Sequence, residues 1–355
     1  MTPMKKALLI VQGEGKGHLS QAVALKEYLE ETEFTIVRVF AGNRPGSELP
    51  AYFRDAFPGI LEQFRSPYLL RTPNQKGIDV GKSLLVNLFF SFRYLREVRR
   101  IRRAVRETGA GLVFNFYDIV GALALRKTGT GVRRIGIGHH FLVHLERYPC
   151  PGGKRWHRWL LRIHTSLILR SCDRVLALSY REVAGAQGIR VVPPLIRRKF
   201  RELNYEAGER FLVYFMAGGY LYDLVRIARE DPAFSADLFT GLVPDMDIPG
   251  GIRLHAFSEE RFASLMSGCK GLISTAGFDL SAEAAYHGIP MLVIPARNHF
   301  EQLCNSLDVE RSGIGKSVDH LLPGVQNHLM ASDRNRFRAW VDRAGELLLN
   351  GIGEY

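Results

Sequence analysis

The sequence is poor in the residues that build disulfide, metal or membrane-spanning structure. Its 355 residues include 4 cysteines, at 150, 172, 269 and 304. They form neither a CxxC pair nor a framework spacing, which argues against a disulfide scaffold or a cysteine-based zinc site and for thiols in a reducing compartment. No apolar run approaches the roughly 20 residues needed to cross a bilayer. Residues 1–12 are too short an apolar stretch, and too soon broken by glycine, for a signal peptide, so a cytoplasmic location is expected. Acidic pairs that would hold a cation are also lacking at strand ends. Asp245-Met246-Asp247 stands in a proline-flanked turn, and no metal is expected. Internal repeats and low-complexity tracts are absent. Acidic residues are the minority charge, 36 against 48 Lys and Arg, for a net charge of +12. That excess favours anionic partners: nucleoside diphosphates, acidic lipid headgroups or nucleic acid.

What is present is an alternation of short apolar strands with helices. Strands are expected at 7–11, 34–40, 112–116, 134–137, 174–178 and 190–192, with a first helix over 18–31. A second series runs 211–215, 237–240, 252–255, 271–274 and 291–294, and the chain closes on a helix near 336–349. Strands alternating with helices imply α/β architecture with parallel, doubly wound sheets. Val192-Pro193-Pro194-Leu195 is the best candidate linker, because consecutive prolines forbid a continuing helix. It separates a domain of residues 1–194 from one of 195–335, leaving 336–355 as a terminal helix.

Polar residues gather where the strands should end. Ser274, Thr275, Ala276 and Gly277 turn from a strand into a helix containing Glu283. After the following strand, Glu301, Gln302 and Asn305 open another helix. In parallel sheets ligands bind outside the carboxyl ends of strands, against helix N-termini, so this segment reads as half of a nucleotide pocket. In the first half, Gln12-Gly13-Glu14-Gly15-Lys16-Gly17-His18 also follows a strand and opens a helix. Its glycines let a ligand approach the backbone. It departs from GxGxxG, and Arg38-Val39-Phe40 stands where a dinucleotide site would need an acidic residue, which disfavours NAD and leaves no cofactor expected. His18 sits at a helix N-terminus, where the dipole keeps imidazole neutral and fit to take a proton, though a capping role is the alternative. Glu14 is a second candidate base. Asp118, after the 112–116 strand, suits either a base or an N-cap, and one of His139 and His140 should face the cleft. Adjacent histidines are expected to point apart, which argues against a metal pair.

These motifs resemble the GT-B glycosyltransferases, most closely the MurG-like group (glycosyltransferase family 28). The resemblance implies two Rossmann-like domains facing a cleft, with the terminal helix crossing back to the first. It implies that Ser274, Thr275, Ala276 and Gly277 face a donor diphosphate. Glu283 would hold the ribose, Glu301-Gln302 the sugar, and Asn305 would match a further amide. Gly218 and Gly219, in Ala217-Gly218-Gly219-Tyr220, resemble a second glycine turn at the diphosphate. Gly15 and Gly17 resemble the acceptor-side loop, which also ends in Gly-His. The activity implied is metal-independent hexosyl transfer from a UDP-sugar to an acceptor hydroxyl, lipid-linked or envelope-glycan acceptors included, with His18 or Asp118 as base. A UDP-sugar hydrolase or epimerase of the same fold, and a non-catalytic nucleotide-sugar or anionic-lipid binding protein, are the alternatives.

One segment stands apart. Residues 82–106 place Leu84, Leu88, Phe92, Leu95, Val98, Ile101 and Val105 at helical spacing, with Arg93, Arg96, Arg99, Arg100, Arg102, Arg103 and Arg106 crowding the second half. The expected form is one long helix, packed on the first sheet with a basic outer face. The functional alternative is docking on an anionic membrane surface, shared by the Trp156–Arg162 region. No nucleic-acid module is recognisable, and nucleic acid is not an expected partner.

Overall fold

The computed structural model describes residues 5–73, 77–129, 131–146, 148–152, 155–215, 218–240 and 246–353. Ala217 and Asp245, named in the two turns above, lie outside them, as do residues 1–4. The chain folds into two Rossmann-like α/β units, each built on a parallel sheet. The first sheet contains β1 (Lys5–Gln12), β2 (Phe34–Asn43), β3 (Leu61–Arg65), β4 (Leu112–Phe116), β5 (Arg133–Ile137), β6 (Arg174–Leu178) and β7 (Ile189–Val192), in the order β3-β2-β1-β4-β5-β6-β7. The second contains β8 (Phe211–Tyr214), β9 (Ala236–Phe239), β10 (Ile252–His255), β11 (Gly271–Thr275), β12 (Met291–Ile294) and β13 (Lys316–Ser317), in the order β10-β9-β8-β11-β12-β13. In each sheet the order reverses beside the first strand. Such switch points, at β1/β4 and β8/β11, open a crevice at the carboxyl edge.

The central strands are apolar because helices cover both faces. Leu8, Leu9, Ile10 and Val11 of β1 have no exposed surface, and neither have Leu112, Val113 and Phe114 of β4. Two edge strands escape periodicity. β3 reads LEQFR, with no apolar run, and is held by its pairing with β2 and by Glu62 bridging Arg38 and Arg100. β13 has only Lys316 and Ser317.

The expected long helix is two. Val80–Phe89 is capped by Asp79, whose side chain accepts from the Lys82 amide, and ends at Phe90, from which Ser91–Thr108 begins. Val98, Ile101 and Val105 pack on the first sheet as expected. Leu84, Leu88, Phe92 and Leu95 do not: all four are exposed, Leu88 at 72%. Periodicity identified an apolar face correctly but not what covers it.

The terminal helix is likewise two, Arg334–Val341 and Ala344–Ile352. Both lie against the first unit: Trp340 Nε1 donates to Ser179 O at 2.9 Å, and Arg174 Nη1 to Gly351 O at 2.9 Å. Gly351 admits this approach, since a Cβ there would lie 2.5 Å from Leu176. Further links join the units. Ile78 donates its amide to Arg297 O at 3.1 Å, beside a parallel bridge between Gly77 and Arg297. Cys150 and Cys304, far apart in the sequence, bring their Sγ atoms within 3.7 Å.

Candidate active site

A cleft of about 690 Å3 runs between the carboxyl edges of the two sheets. Its walls include the turns after β1, β8, β9, β10, β11 and β12. Helix starts face it from both sides, Gly17–Leu29 on one and Glu259–Ser267, Phe278–His287 and Phe300–Arg311 on the other.

On the first side each loop glycine has its own reason. A Cβ on Gly13 would lie 2.3 Å from Gly42 O, and one on Gly17 would lie 2.3 Å from Asp279 Oδ2. Gly15 adopts φ +80, a left-handed conformation open to glycine at no steric cost. His18 is buried at the helix start and lines the cleft, with Nδ1 3.2 Å from Gln21 Oε1. Burial, helped by nearby His139, lowers its pKa to about 4, so the ring is neutral at physiological pH. Glu14 accepts from the Leu69 amide at 2.6 Å, and burial raises its carboxyl to about 7. Lys16 places Nζ 3.0 Å from the Phe257 ring centroid, and burial lowers it to about 8.

Asp118 does not reach this cleft. Its Oδ1 accepts from the Gly121 amide at 2.7 Å, capping the helix Ile119–Leu125, and its Oδ2 accepts from Ser66 Oγ at 2.5 Å. With both oxygens engaged and no exposed surface, it is a structural cap rather than a base. Of the base and cap roles open to Asp118, the geometry supports the cap.

On the second side Thr275, Gly277, Glu283, Glu301 and Gln302 line the cleft. Burial raises Glu283 to about 8, against the opposing pull of Arg197. Ser274, Ala276 and Asn305 do not line it. All three are buried behind the turn, where Asn305 Nδ2 donates to Ala276 O at 3.1 Å and fixes the turn's shape. Gln302 Oε1 accepts from the Ala296 amide at 2.8 Å. Gly218 and Gly219 open a 3-10 turn beyond β8, but the cleft wall there is Tyr214 and Phe215.

The structure adds residues that sequence reasoning missed. Gln21, one turn after His18, donates Nε2 to Asp279 at 2.9 Å (Oδ1) and 3.2 Å (Oδ2). Arg197, next to the Pro-Pro segment, pairs with Glu259 and lies 4.3 Å from the Tyr52 ring centroid. The i, i+3 spacing of His18 and Gln21 was a readable signal. The partners 258 residues away were not.

The adjacent histidines do not point apart. His139 Nε2 is 3.3 Å from Glu301 Oε1, and His140 Nε2 is 2.7 Å from Oε2. They begin a 3-10 turn, His139–His144, in which successive side chains are about 120° apart instead of opposed. Tyr117, at φ 58, stacks beneath His140 at 4.1 Å. Burial alone would raise Glu301, but His140, His139 and His299 outweigh it and hold the carboxyl well below its usual range. Burial and His139 lower His140 to about 3, against the pull of Glu301. Among the described residues, His139, His140 and Glu301 form the group able to hold a metal ion, their ligand atoms all lying within 4.8 Å of one another.

The two parallel-sheet units have relatives among known proteins. The family model that fits residues 5–332 is described as Glycosyl transferase family 1. The chain belongs to that family. An "Uncharacterized glycosyltransferase" of Methanosarcina acetivorans is 26% identical over 350 residues, covering 89% of this chain and 84% of the relative. Another from the same organism is 27% identical over 142 residues, 37% of each protein. Among solved structures, MurG of Acinetobacter baumannii superposes with TM-score 0.60 at 14% identity, covering 98% of this chain and 99% of MurG. UGT2 of Phytolacca americana, complexed with UDP-2-fluoro-glucose and pterostilbene, gives TM-score 0.65 at 14% identity over 96% and 94% of the two chains. At such identities the likeness is one of fold, and the fold is GT-B. Family and fold together mark the chain as a glycosyltransferase.

Two outcomes follow from this electrostatic arrangement. Asp118→Ala removes a helix cap and should cost about 1 kcal/mol in denaturant unfolding, while the rate per folded molecule stays near wild type. For Glu283, a raised native pKa means the folded state keeps a proton that the unfolded chain has released. Its contribution to stability therefore falls as pH rises from the ordinary carboxylate range to about 8. The melting temperature of ligand-free Glu283→Gln relative to wild type should accordingly climb between pH 5 and pH 8.5.

Proposed function

We propose that this glycosyltransferase moves a hexose from a UDP-sugar, bound by the second unit, to an acceptor hydroxyl bound by the first, by the MurG-like route and without a metal. The observation that carries the proposal is the opposition of two groups across one cleft. His18 is a neutral imidazole on one side, and Glu283 is a buried carboxyl beside the Thr275–Gly277 turn on the other.

In the proposed reaction His18 takes the acceptor hydroxyl proton as the oxygen attacks the anomeric carbon. The bond from that carbon to the diphosphate breaks, and its electron pair leaves with UDP. Amides at the start of the helix Phe278–His287 oppose the developing charge, and Lys16 adds a cation near the same wall. Glu283 accepts from the ribose hydroxyls once ionised, and Glu301-Gln302 hold the sugar. Ser274, Ala276 and Asn305 shape the turn instead of touching the donor.

The acceptor side extends to a lipid surface on the cytoplasmic face of the membrane. Support comes from Leu84, Leu85, Leu88, Phe89, Phe92 and Leu95, all exposed, beside exposed Arg96, Arg99 and Arg103. Trp156 and Trp159 add a second exposed aromatic pair, their rings 4.5 Å apart. Apolar area gives insertion, and basic residues add roughly 1 kcal/mol each near anionic headgroups. Among the described residues no helix is long and apolar enough to cross the membrane.

The donor reading is tested with Glu283→Ala, which should keep its fold but lose about one to two decades in UDP affinity by calorimetry. An unchanged affinity removes Glu283 from the donor site. Sugar release measured with and without added acceptor separates transfer from hydrolysis. The surface reading predicts that wild-type protein sediments with anionic vesicles at low salt and releases as salt rises. Arg96→Gln, Arg99→Gln and Arg103→Gln together should weaken sedimentation while leaving soluble UDP affinity intact. Arg100 and Arg102 are poorer targets, because Glu62 and the Ala124 carbonyl already engage them.

A further inference from the structure

We propose that Gln21 and Asp279 are positioning residues that set which nitrogen of His18 carries the proton, making the base competent only while the two units are docked. The inference rests on the reading of His18 as the base.

Burial raises the pKa of Asp279, opposed by its contact with Gln21; in the ionised form its carboxylate only accepts hydrogen bonds. Gln21 Nε2 lies 2.9 Å from Oδ1 and 3.2 Å from Oδ2, so the donor end of the Gln21 amide must face Asp279. The acceptor end, Oε1, therefore faces His18, 3.2 Å from Nδ1. An amide oxygen cannot donate, so Nδ1 must. That leaves Nε2 of His18 as the unprotonated nitrogen, the one able to take a proton. Since Gln21 is neutral, the relay orients the ring without placing a carboxylate directly against it. Burial already keeps the imidazole uncharged. What the relay adds is the choice of tautomer.

This chain of contacts crosses between the units. Gln21 lies on the helix that His18 opens, and Asp279 lies in the first turn of the helix after the Thr275–Gly277 turn. Asp279 also seats against Gly17, where a Cβ would come within 2.3 Å of Oδ2. Glycine at 17 thus permits Asp279 of the second unit to seat beside the base. When the units part, Gln21 loses Asp279 and its amide is free to turn. Either end of the amide can then face Nδ1, and with NH2 there the proton sits on Nε2. A sugar donor is held by the unit that carries Asp279, so donor docking and base orientation are one event.

The test uses the full chain, with 15N-labelled histidine and the His18 signal assigned by its loss in His18→Ala. Wild-type His18 should show a protonated Nδ1 and a bare Nε2; a protonated Nε2 overturns the inference with no further variant needed. Gln21→Met keeps the buried volume but removes both hydrogen bonds. It should populate both tautomers and lower kcat about 10- to 100-fold, with UDP affinity unchanged. Asp279→Leu should behave alike, and Asp279→Asn, which still offers Gln21 an oxygen, should recover part of the rate. If His18→Ala retains full activity, the base reading itself falls. If His18→Ala is slow while folded Gln21→Met and Asp279→Leu keep wild-type kcat, the relay alone is overturned.

Discussion

Every pairing of named strands in both sheets is parallel, and that constraint fixes where chemistry can occur. A parallel strand must be followed by a crossover, so each turn after a strand emerges at the same edge and each helix begins there. Bringing two such edges together gathers helix N-termini, glycine turns and polar side chains from remote parts of the chain into one 690 Å3 cleft. The cleft is thus a consequence of strand direction before any particular side chain is considered.

Burial then sets the charge state of what the edges bring together. Glu283, Glu14, Lys16 and His18 all shift toward their neutral forms, with desolvation the largest cause in each. Glu301 is the counter-example, held ionised because His139, His140 and His299 crowd it. Strongly shifted groups of both kinds gathered in one cleft are the pattern of a reaction site. In the proposed reaction the same desolvation strengthens each hydrogen bond that donor and acceptor bring with them.

Much of this was legible in the sequence where the requirement was local. Strands 112–116, 252–255 and 291–294 coincide with β4, β10 and β12, since each is a compact run between turn-forming residues. The loop at 12–18 was legible because glycine needs declare themselves residue by residue. Asp118 could be read only as base or cap, and the decision came from Ser66 and the Gly121 amide. Edge strand β3 was invisible because its stability comes from Arg38 and Arg100 and from β2. The exposed stripe at Leu84–Leu95 shows the limit of periodicity, which reports which residues share a face and nothing about what covers it. The pairings of Gln21 with Asp279 and of both histidines with Glu301 join distant segments, and no local rule encodes them.

The Gly77–Arg297 bridge carries a kinetic consequence. The Ile78 amide belongs to the first unit, yet its acceptor, Arg297 O, belongs to the second. Such a hydrogen exchanges with solvent through any opening that separates Ile78 from Arg297, whether local or of the two units. Its protection therefore sets a lower bound on the free energy of opening the cleft, while amides inside β1 report global unfolding. One backbone hydrogen bond thus sets a floor beneath the motions that part the units, apart from those that lose the fold.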